Sequence, residues 1–328
     1  MKKRVLITGA SGFVGFHLIE AAISSDFEVY AAVRSGSQIK HLQRFNIQYV
    51  HPNFSAVDEL ENIINKHAID YVVHAAGITK AKTEAEYNLT NATYTRNLAL
   101  ASLKAGIKKF VFVSSLAALG PLKDLKGMLH DNSAAHPVTS YGKSKLLAEN
   151  YLAEIPELPL IVIRPTAVYG PREKDIFILF NSINKGLEPY IGEFDQQLSF
   201  VYVKDLAEII VKALTADVTQ QHYNVSDGFV YDRYALADLS KKTLNKKTFK
   251  FHLPVAVVNL MASAMELLYR GSAKTPTLNK EKMQELTAVN WACDISAIRA
   301  GLGFRPQYNL ALGLTETLNW YKQNNWLS

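Results

Sequence analysis

Six short apolar, β-branched runs punctuate the first half of the chain: RVLIT (4–8), FEVYAAV (27–33), IQYV (47–50), DYVVHAA (70–76), KKFVFVSS (108–115) and LPLIVIRP (158–165). Their apolar residues are continuous rather than alternating, the mark of strands covered on both faces. Between them stand longer stretches, GFHLIEAAISS (15–25), AVDELENIINKH (56–67) and NATYTRNLALASLKAG (91–106), that repeat apolar positions at helical spacing. Strands of this kind separated by helices predict an α/β fold, a doubly wound parallel sheet, over residues 1–168. After YGPRE (169–173) the pattern loosens into helices with scattered short strands. A smaller mixed C-terminal lobe is expected over 169–328, with a segment near 199–228 returning to the sheet and a ligand cleft between the lobes.

The chain has 328 residues, of which 48% are apolar, and a net charge of +6. That apolar content allows a sizeable core and excludes a disordered chain. No uninterrupted apolar run reaches the about 18 residues of a bilayer span. The opening MKKRVLITGASGFVG sets charge before an apolar run as a secretory leader does, but its glycines, His17 and Glu20 fit a strand and turn instead. The lone cysteine, Cys293, forms neither an internal disulfide nor a metal cluster, so no metal site is expected and the cytoplasm is the expected compartment. The densest basic run, KKTLNKKTFK (241–250), reads first as a solvated face, with anionic lipid or nucleic acid as alternatives; no nucleic-acid partner is expected.

TGASGFVG (8–15) changes the picture from fold to ligand. Gly9, Gly12 and Gly15 are spaced as GxxGxxG between the first strand and the first helix, where glycines allow a tight turn and close approach of backbone to a pyrophosphate. Ser11, Phe13 and Val14 belong to the same turn, so a dinucleotide on a Rossmann domain is predicted here. About 20 residues further on, NAD-binding domains place an acid for the ribose 2′-OH. This chain has Val33 and Arg34, followed by Ser35. A cation there suits the 2′-phosphate of NADP(H), the expected cofactor, with NAD(H) the alternative if Arg34 is a plain surface residue.

In TSYGKSKLLAEN (139–150), Tyr141 and Lys145 are four apart and share a helical face, whereas Lys143 points about 200° around the axis. Together with VFVSSLAALG (111–120) and RPTAVYGP (164–171), and with the glycine turn, these residues resemble an extended short-chain dehydrogenase/reductase over essentially the whole chain. The resemblance implies that Tyr141 passes a proton to or from the substrate oxygen while the nicotinamide handles a hydride. Lys145 is then expected to bind the ribose and to lower the phenol pKa by its charge. Ser115 takes the place of the family's strand-end Ser or Thr, with a strand-end cap as the alternative role; Ser114 is expected to be structural or a cofactor contact. NATYTRNLALAS aligns Asn91 with the family's active-site asparagine, with Tyr94 in place of a small residue. HAAG (74–77) matches the turn against the cofactor, giving Ala75, Ala76 and Gly77 as contacts and His74 a structural part. In VHPNF (50–54), Asn53 stands where the family has an aspartate near the adenine, beside Phe54. Backbone groups around Pro165, Ala167 and Val168 are implied to face the nicotinamide, and Tyr169 is either cleft lining or lobe packing.

Nucleotide-sugar epimerases and dehydratases, the largest branch of that family, carry Arg-Asp where QQLSFVYVKD (196–205) has Leu198 and Ser199. The later stretches LPVAVVNLMASAMELLYRG (253–271), TPTLNKEKMQEL (275–286), NWACDISAIRAGLGFRP (290–306) and GLTETLNWYKQNNWL (313–327) resemble instead the branch of dihydroflavonol reductases and 3β-hydroxysteroid dehydrogenases. That resemblance implies a reductase or dehydrogenase acting on a carbonyl or secondary alcohol of an apolar substrate: a sterol, a long-chain keto-lipid such as a 3-keto sphingoid base, or a flavonoid. A nucleotide-sugar 4-epimerase or dehydratase with bound NAD, and a non-catalytic NADP-sensing regulator, are the alternatives. The helix expected from Leu253 to Tyr269 is apolar nearly all round and reads either as core or as a substrate-facing lid resting on a membrane surface. A homodimer through the helices flanking Asn91 and Tyr141 is implied by the resemblance alone.

Overall fold

The computed structural model describes residues 2–269, 276 and 279–327. Parts of two stretches singled out above, Arg270 and Gly271 in the first and Thr275, Thr277 and Leu278 in the second, lie outside the described residues. The first half runs β1 (Lys3–Thr8), α1 (Phe13–Ser24), β2 (Phe27–Ala32), β3 (Gln48–Val50), α2 (Val57–Lys66), β4 (Tyr71–His74), α3 (Glu84–Asn88), α4 (Tyr94–Lys104), β5 (Lys109–Val113), α5 (Ser140–Ala153) and β6 (Leu160–Pro165). It continues through β7 (Ala167–Tyr169), α6 (Phe177–Asn184), β8 (Leu187–Ile191), β9 (Gln197–Leu198), β10 (Phe200–Tyr202), α7 (Val203–Ala213) and β11 (Gln221–Val225). The remainder is β12 (Tyr231–Asp232), α8 (Ala235–Leu244), β13 (Phe249–Leu253), α9 (Val255–Leu268), α10 (Lys280–Thr287), α11 (Ser296–Leu302) and α12 (Leu310–Gln323).

Seven strands form one parallel sheet in the order β11-β6-β5-β4-β1-β2-β3. Because side chains alternate across a strand, each run feeds two cores at once. Val5, Val111 and Ile161 meet α1, α7 and α11 on one face; Leu6, Phe110 and Leu160 meet α2, α4 and α5 on the other. The doubly wound α/β expectation is met. The strand order reverses between β1 and β4, whose neighbours at Thr8 and His74 stand in register. The crevice outside the carboxyl ends of these two strands is where such a sheet takes a ligand. Residues 221–225 pair with β6 at the sheet's edge, and α7 packs on the α1 face.

The C-terminal part has its own small core, in which Tyr169, Phe180, Tyr202, Leu314 and Tyr321 are buried together. Tyr169 is fully buried there and donates to Asn309 O at 3.2 Å, so it packs the lobe and does not line the cleft. The core reading of the helix after Leu253 is overturned. In α9 only Val258 and Ala262 are buried, because the helix rests on little besides α10 and the β8/β13 pair.

Candidate active site

β1 ends and the chain turns at Gly9, where a φ of +68° suits glycine alone. A Cβ at Gly9 would lie 2.6 Å from Ala75 O, so the turn is pressed against the residue following β4. Gly12 is the N-cap of α1 and no side chain caps that helix, which leaves its first N–H groups facing the cleft as anion donors. The cleft has a volume of about 910 Å³. Gly9, Ser11, Gly12, Phe13, Val14 and Gly15 form one wall; Ala75, Ala76 and Gly77 form another, and Phe54, Val168 and Arg34 also line it. Unpartnered helix N–H groups, a backbone free of Cβ atoms and a cation at the end of β2 fit a dinucleotide with its phosphates.

Five expected cofactor contacts are not among the lining residues: Tyr141 and Lys145, which stand behind Gly77, and Asn53, Pro165 and Ala167. Asn53 is exposed and closes a local turn, its Oδ1 accepting from Ser55 N at 3.1 Å while its Nδ2 donates to Glu59 at 3.4 Å. Pro165 is buried in β6, in register with Val225, and Ala167 is exposed opposite Phe200. Beside Arg34 it is Ser37, not Ser35, that lines the cleft, and its hydroxyl accepts from Arg34 N at 3.1 Å. The sequence reading missed His41 and Arg172 and noted Tyr94 only as a departure from a small residue; all three line the cleft. Tyr94 stacks on Phe54 with ring centroids 6.1 Å apart, so the residue in place of a small one builds the wall. Arg172 lies over the Phe16 ring at 4.5 Å, and its place after Tyr-Gly-Pro was the available signal.

α5 starts at Ser140, capped by Thr139, whose Oγ1 accepts from Gly142 N at 3.0 Å. A Cβ at Gly142 would sit 2.3 Å from Ala117 O, so glycine there lets the short turn after β5 touch the helix. That contact brings Ser115 close enough to Tyr141 for its hydroxyl to lower the phenol pKa. Ser115 also caps its own turn, Oγ accepting from Ala117 N at 3.2 Å, so the two readings of this residue coexist. Ser114 instead donates to Glu149, which holds the buried Arg164 guanidinium at 2.5 Å. Lys143 is exposed, 4.0 Å from Glu84. Lys145 is buried, donating to Val113 O at 2.9 Å with its Nζ 4.8 Å above the Phe112 ring. A Cβ on Gly77 would lie 3.4 Å from that Nζ and 3.0 Å from Asn91 Oδ1, which joins the Tyr-Lys cluster to the cofactor cleft.

Asn91 sits in one π-helical turn, residues 89–93, inserted ahead of α4, a device common at functional sites. Its Oδ1 accepts from Ile78 N at 2.8 Å, and its Nδ2 donates to Ile78 O and to Ser144 Oγ, each at 2.9 Å. Behind it runs a buried relay. Ala76 N donates to Thr8 Oγ1, Thr8 Oγ1 pairs with His74 Nδ1 at 2.7 Å, His74 Nε2 pairs with Thr95 Oγ1 at 2.8 Å, and Thr95 donates to Asn91 O at 2.7 Å. With Thr95 donating to Asn91, its oxygen must accept from His74 Nε2–H, which leaves Nδ1 to accept from Thr8. Every polar atom of the relay is satisfied, and burial pushes the His74 pKa down to about 3.

Burial also drives the two central groups toward neutrality. The Tyr141 phenol is raised to about 12, with Ser115 the one group that lowers it and Glu285 and Tyr87 raising it further. Lys145 is lowered to about 8. The Lys145 ammonium itself is turned to Val113 O and the Phe112 ring.

A larger cleft of about 1240 Å³, lined by Phe16, His17, Lys204 and Trp320 among others, contains neither the glycine turn nor the Tyr141 cluster. The profile of the NAD dependent epimerase/dehydratase family matches residues 5–226, and the chain belongs to that family. It is accordingly an enzyme that acts on CH–OH groups with a nicotinamide cofactor and a small-molecule substrate. It is similar to a UDP-glucose 4-epimerase of Vibrio cholerae, 27% identical over 340 residues that span 99% of this chain and 97% of that protein. It is similar also to a ceramide reductase of Caulobacter vibrioides, 25% identical over 328 residues, 98% of this chain and 96% of that protein. The fold is shared with the crystal structure of a UDP-glucose 4-epimerase with UDP-glucose from Thermotoga maritima: TM-score 0.80, 21% identity, 98% of this chain and 99% of that one.

Proposed function

We propose that the protein is an NADP(H)-dependent oxidoreductase interconverting a carbonyl and a secondary alcohol on an apolar substrate. The observation that carries the reaction is the junction at Gly77, where Asn91 and Lys145 meet the cofactor cleft while Ser115 holds the Tyr141 phenol. The bound nicotinamide supplies or takes the hydride at the substrate carbon. Tyr141 gives the proton to the substrate oxygen in reduction and takes it back in oxidation, and a phenol near 12 favours the protonated, donating form. Ser115 stabilises the phenolate that Tyr141 becomes when it gives up its proton. Lys145 anchors the ribose, and Asn91, braced by the relay through His74, fixes the helix that carries it. Arg34, which lines the cleft just past the end of β2, would hold a 2′-phosphate, which supports NADP(H) over NAD(H).

The apolar substrate is supported by the segment 196–199, which offers no cation. Leu198 is half-buried, and Ser199 is buried, with Cys293 N donating to its Oγ at 3.3 Å. The buried cation of this lobe, Arg233, gives its N–H groups to Phe194 O at 2.6 Å and Ile191 O at 2.8 Å. The likeness to a ceramide reductase points the same way. A nucleotide-sugar epimerase is the second reading, favoured by the Vibrio relative. NADPH oxidation across sterol, long-chain keto-lipid, flavonoid and nucleotide-sugar substrates decides between them. Tight NAD retained through purification, with thermal protection by a UDP-sugar and no ketone reduction, would establish the epimerase. In Tyr141→Phe, turnover should fall at least about 100-fold while NADPH still binds; unchanged turnover refutes the proton role.

A further inference from the structure

α9 is inside out for a surface helix. Its buried side carries just Val258 and Ala262, against Met283 of α10, while Leu260 is 72%, Leu267 68% and Leu268 79% exposed, with Val257 and Met261 also open to solvent. These positions recur at three and four residues and so form one outward apolar stripe, where an ordinary exposed helix shows charge. The stripe does not end with the helix. β13 runs straight into α9 through Pro254, and its Phe249, 70% exposed, stands in register with the exposed Leu187 of β8. Phe251 stacks on Phe249, and Leu253 and Ile191 join the cluster under α9.

Lysines border the far end of this surface. Lys185, Lys242, Lys246 and Lys247 are exposed and have no carboxylate partner among the described residues, and Lys250 lies over the Tyr234 ring at 3.4 Å. An apolar stripe next to unpaired lysines is complementary to acyl chains beneath anionic headgroups. The α9/α10 pair also reaches the active site. Glu281 of α10 accepts from Ser140 N at 3.0 Å at the start of the Tyr141 helix, and Glu266 of α9 accepts from Lys280 N at 2.9 Å. No helix among the described residues is long and apolar enough to cross a membrane, so the stripe can rest on a bilayer without spanning it.

We propose that α9 and the β8/β13 edge dock this enzyme on the surface of an anionic lipid bilayer, with the Tyr141 end of the site held against the membrane. The biological sense of docking rests on the apolar-substrate reading, but its test needs no substrate. The full chain is floated with vesicles of phosphatidylcholine alone, and with about one-third phosphatidylglycerol, at low and high salt. Binding to the anionic vesicles that weakens in salt is expected. Leu260→Glu with Leu267→Glu should lower partitioning about tenfold or more, and Lys246→Glu with Lys247→Glu should lower it about tenfold on anionic vesicles alone. NADPH binding and the melting transition confirm that each variant is folded. Wild type that stays unbound on anionic vesicles overturns the proposal. So does a wild-type dimer in sedimentation that the leucine variants split, since the face then belongs to a second copy. A protein that ignores vesicles yet reduces a water-soluble ketone with NADPH loses the docking and keeps the proposed reaction.

Discussion

Gly142 offers the sharpest test of how the site is assembled. Replacing it with alanine adds a Cβ 2.3 Å from Ala117 O, 3.1 Å from Ala117 C and 3.2 Å from Pro137 Cβ. Ordinary contact begins near 3.4 Å, so the turn carrying Ser115 must retreat by about 1 Å, and the obstructing atom is backbone rather than a flexible side-chain end. Alanine in a helix is favoured over glycine by up to about 1 kcal/mol, while overpacking costs about 1–3 kcal/mol. The clash wins, and urea unfolding should show a net loss of about 1–2 kcal/mol. Catalysis should suffer more, since a misplacement of about 1 Å costs on the order of 100-fold in rate. Steady-state ketone reduction should show kcat reduced by that factor, with NADPH affinity by fluorescence titration unchanged because the glycine turn is untouched. A kcat within about threefold of wild type would mean that Ser115 is not placed by this contact.

Arg34→Ala should weaken NADPH binding about 10- to 100-fold and leave NADH nearly unaffected, as charge-assisted bonds to phosphate contribute about 1.5–3 kcal/mol; equal losses for both nucleotides, by titration calorimetry, would place the 2′-phosphate elsewhere. Lys145 falls from 10.5 in the unfolded chain to about 8 in the fold, so between those pH values the unfolded state binds more protons. Wild-type stability should therefore rise relative to Lys145→Met from pH 8 toward 10.5, by up to ~3 kcal/mol, in urea melts of nucleotide-free protein; a flat difference would show that the ammonium is not desolvated. Thr95→Val leaves His74 Nε2–H without an acceptor and should cost about 1–3 kcal/mol, with Thr95→Ser restoring most of it.

The sheet was legible because its signal is local and redundant. Runs such as LPLIVIRP are buried on both faces, and each continuous apolar stretch reports that without knowledge of its neighbours. The glycine turn and the Tyr141 and Lys145 spacing were legible for a similar reason: one strand end and one helix face determine their geometry. Asn53 was harder to read, because a side chain that can accept from an adenine amine can equally close a turn, and here its Oδ1 accepts from Ser55 N, two residues away. α9 misled in the opposite sense. A helix apolar on all sides reads as core, and nothing within it reveals that the surrounding lobe supplies partners on one side only.

What lay beyond the sequence is electrostatic as much as geometric. Tyrosine and lysine four apart show that two groups share a face, but the strength of their coupling depends on where the ammonium is held. Lys145 Nζ donates to Val113 O and lies over the Phe112 ring, while Ser115, 26 residues upstream of Tyr141, opposes the burial that raises the phenol. Glu285 raises it further from α10, the helix that also anchors the outward-facing apolar stripe. Glu285, paired with Lys282 at 2.8 Å, thus lies between the proton donor and a helix that packs under the proposed docking surface. Movement of α10 relative to α5 would alter the phenol through Glu285 and the Glu281 contact with Ser140. A catalytic pH profile that shifts on anionic vesicles, and no longer shifts in Glu285→Gln, is the signature this coupling requires.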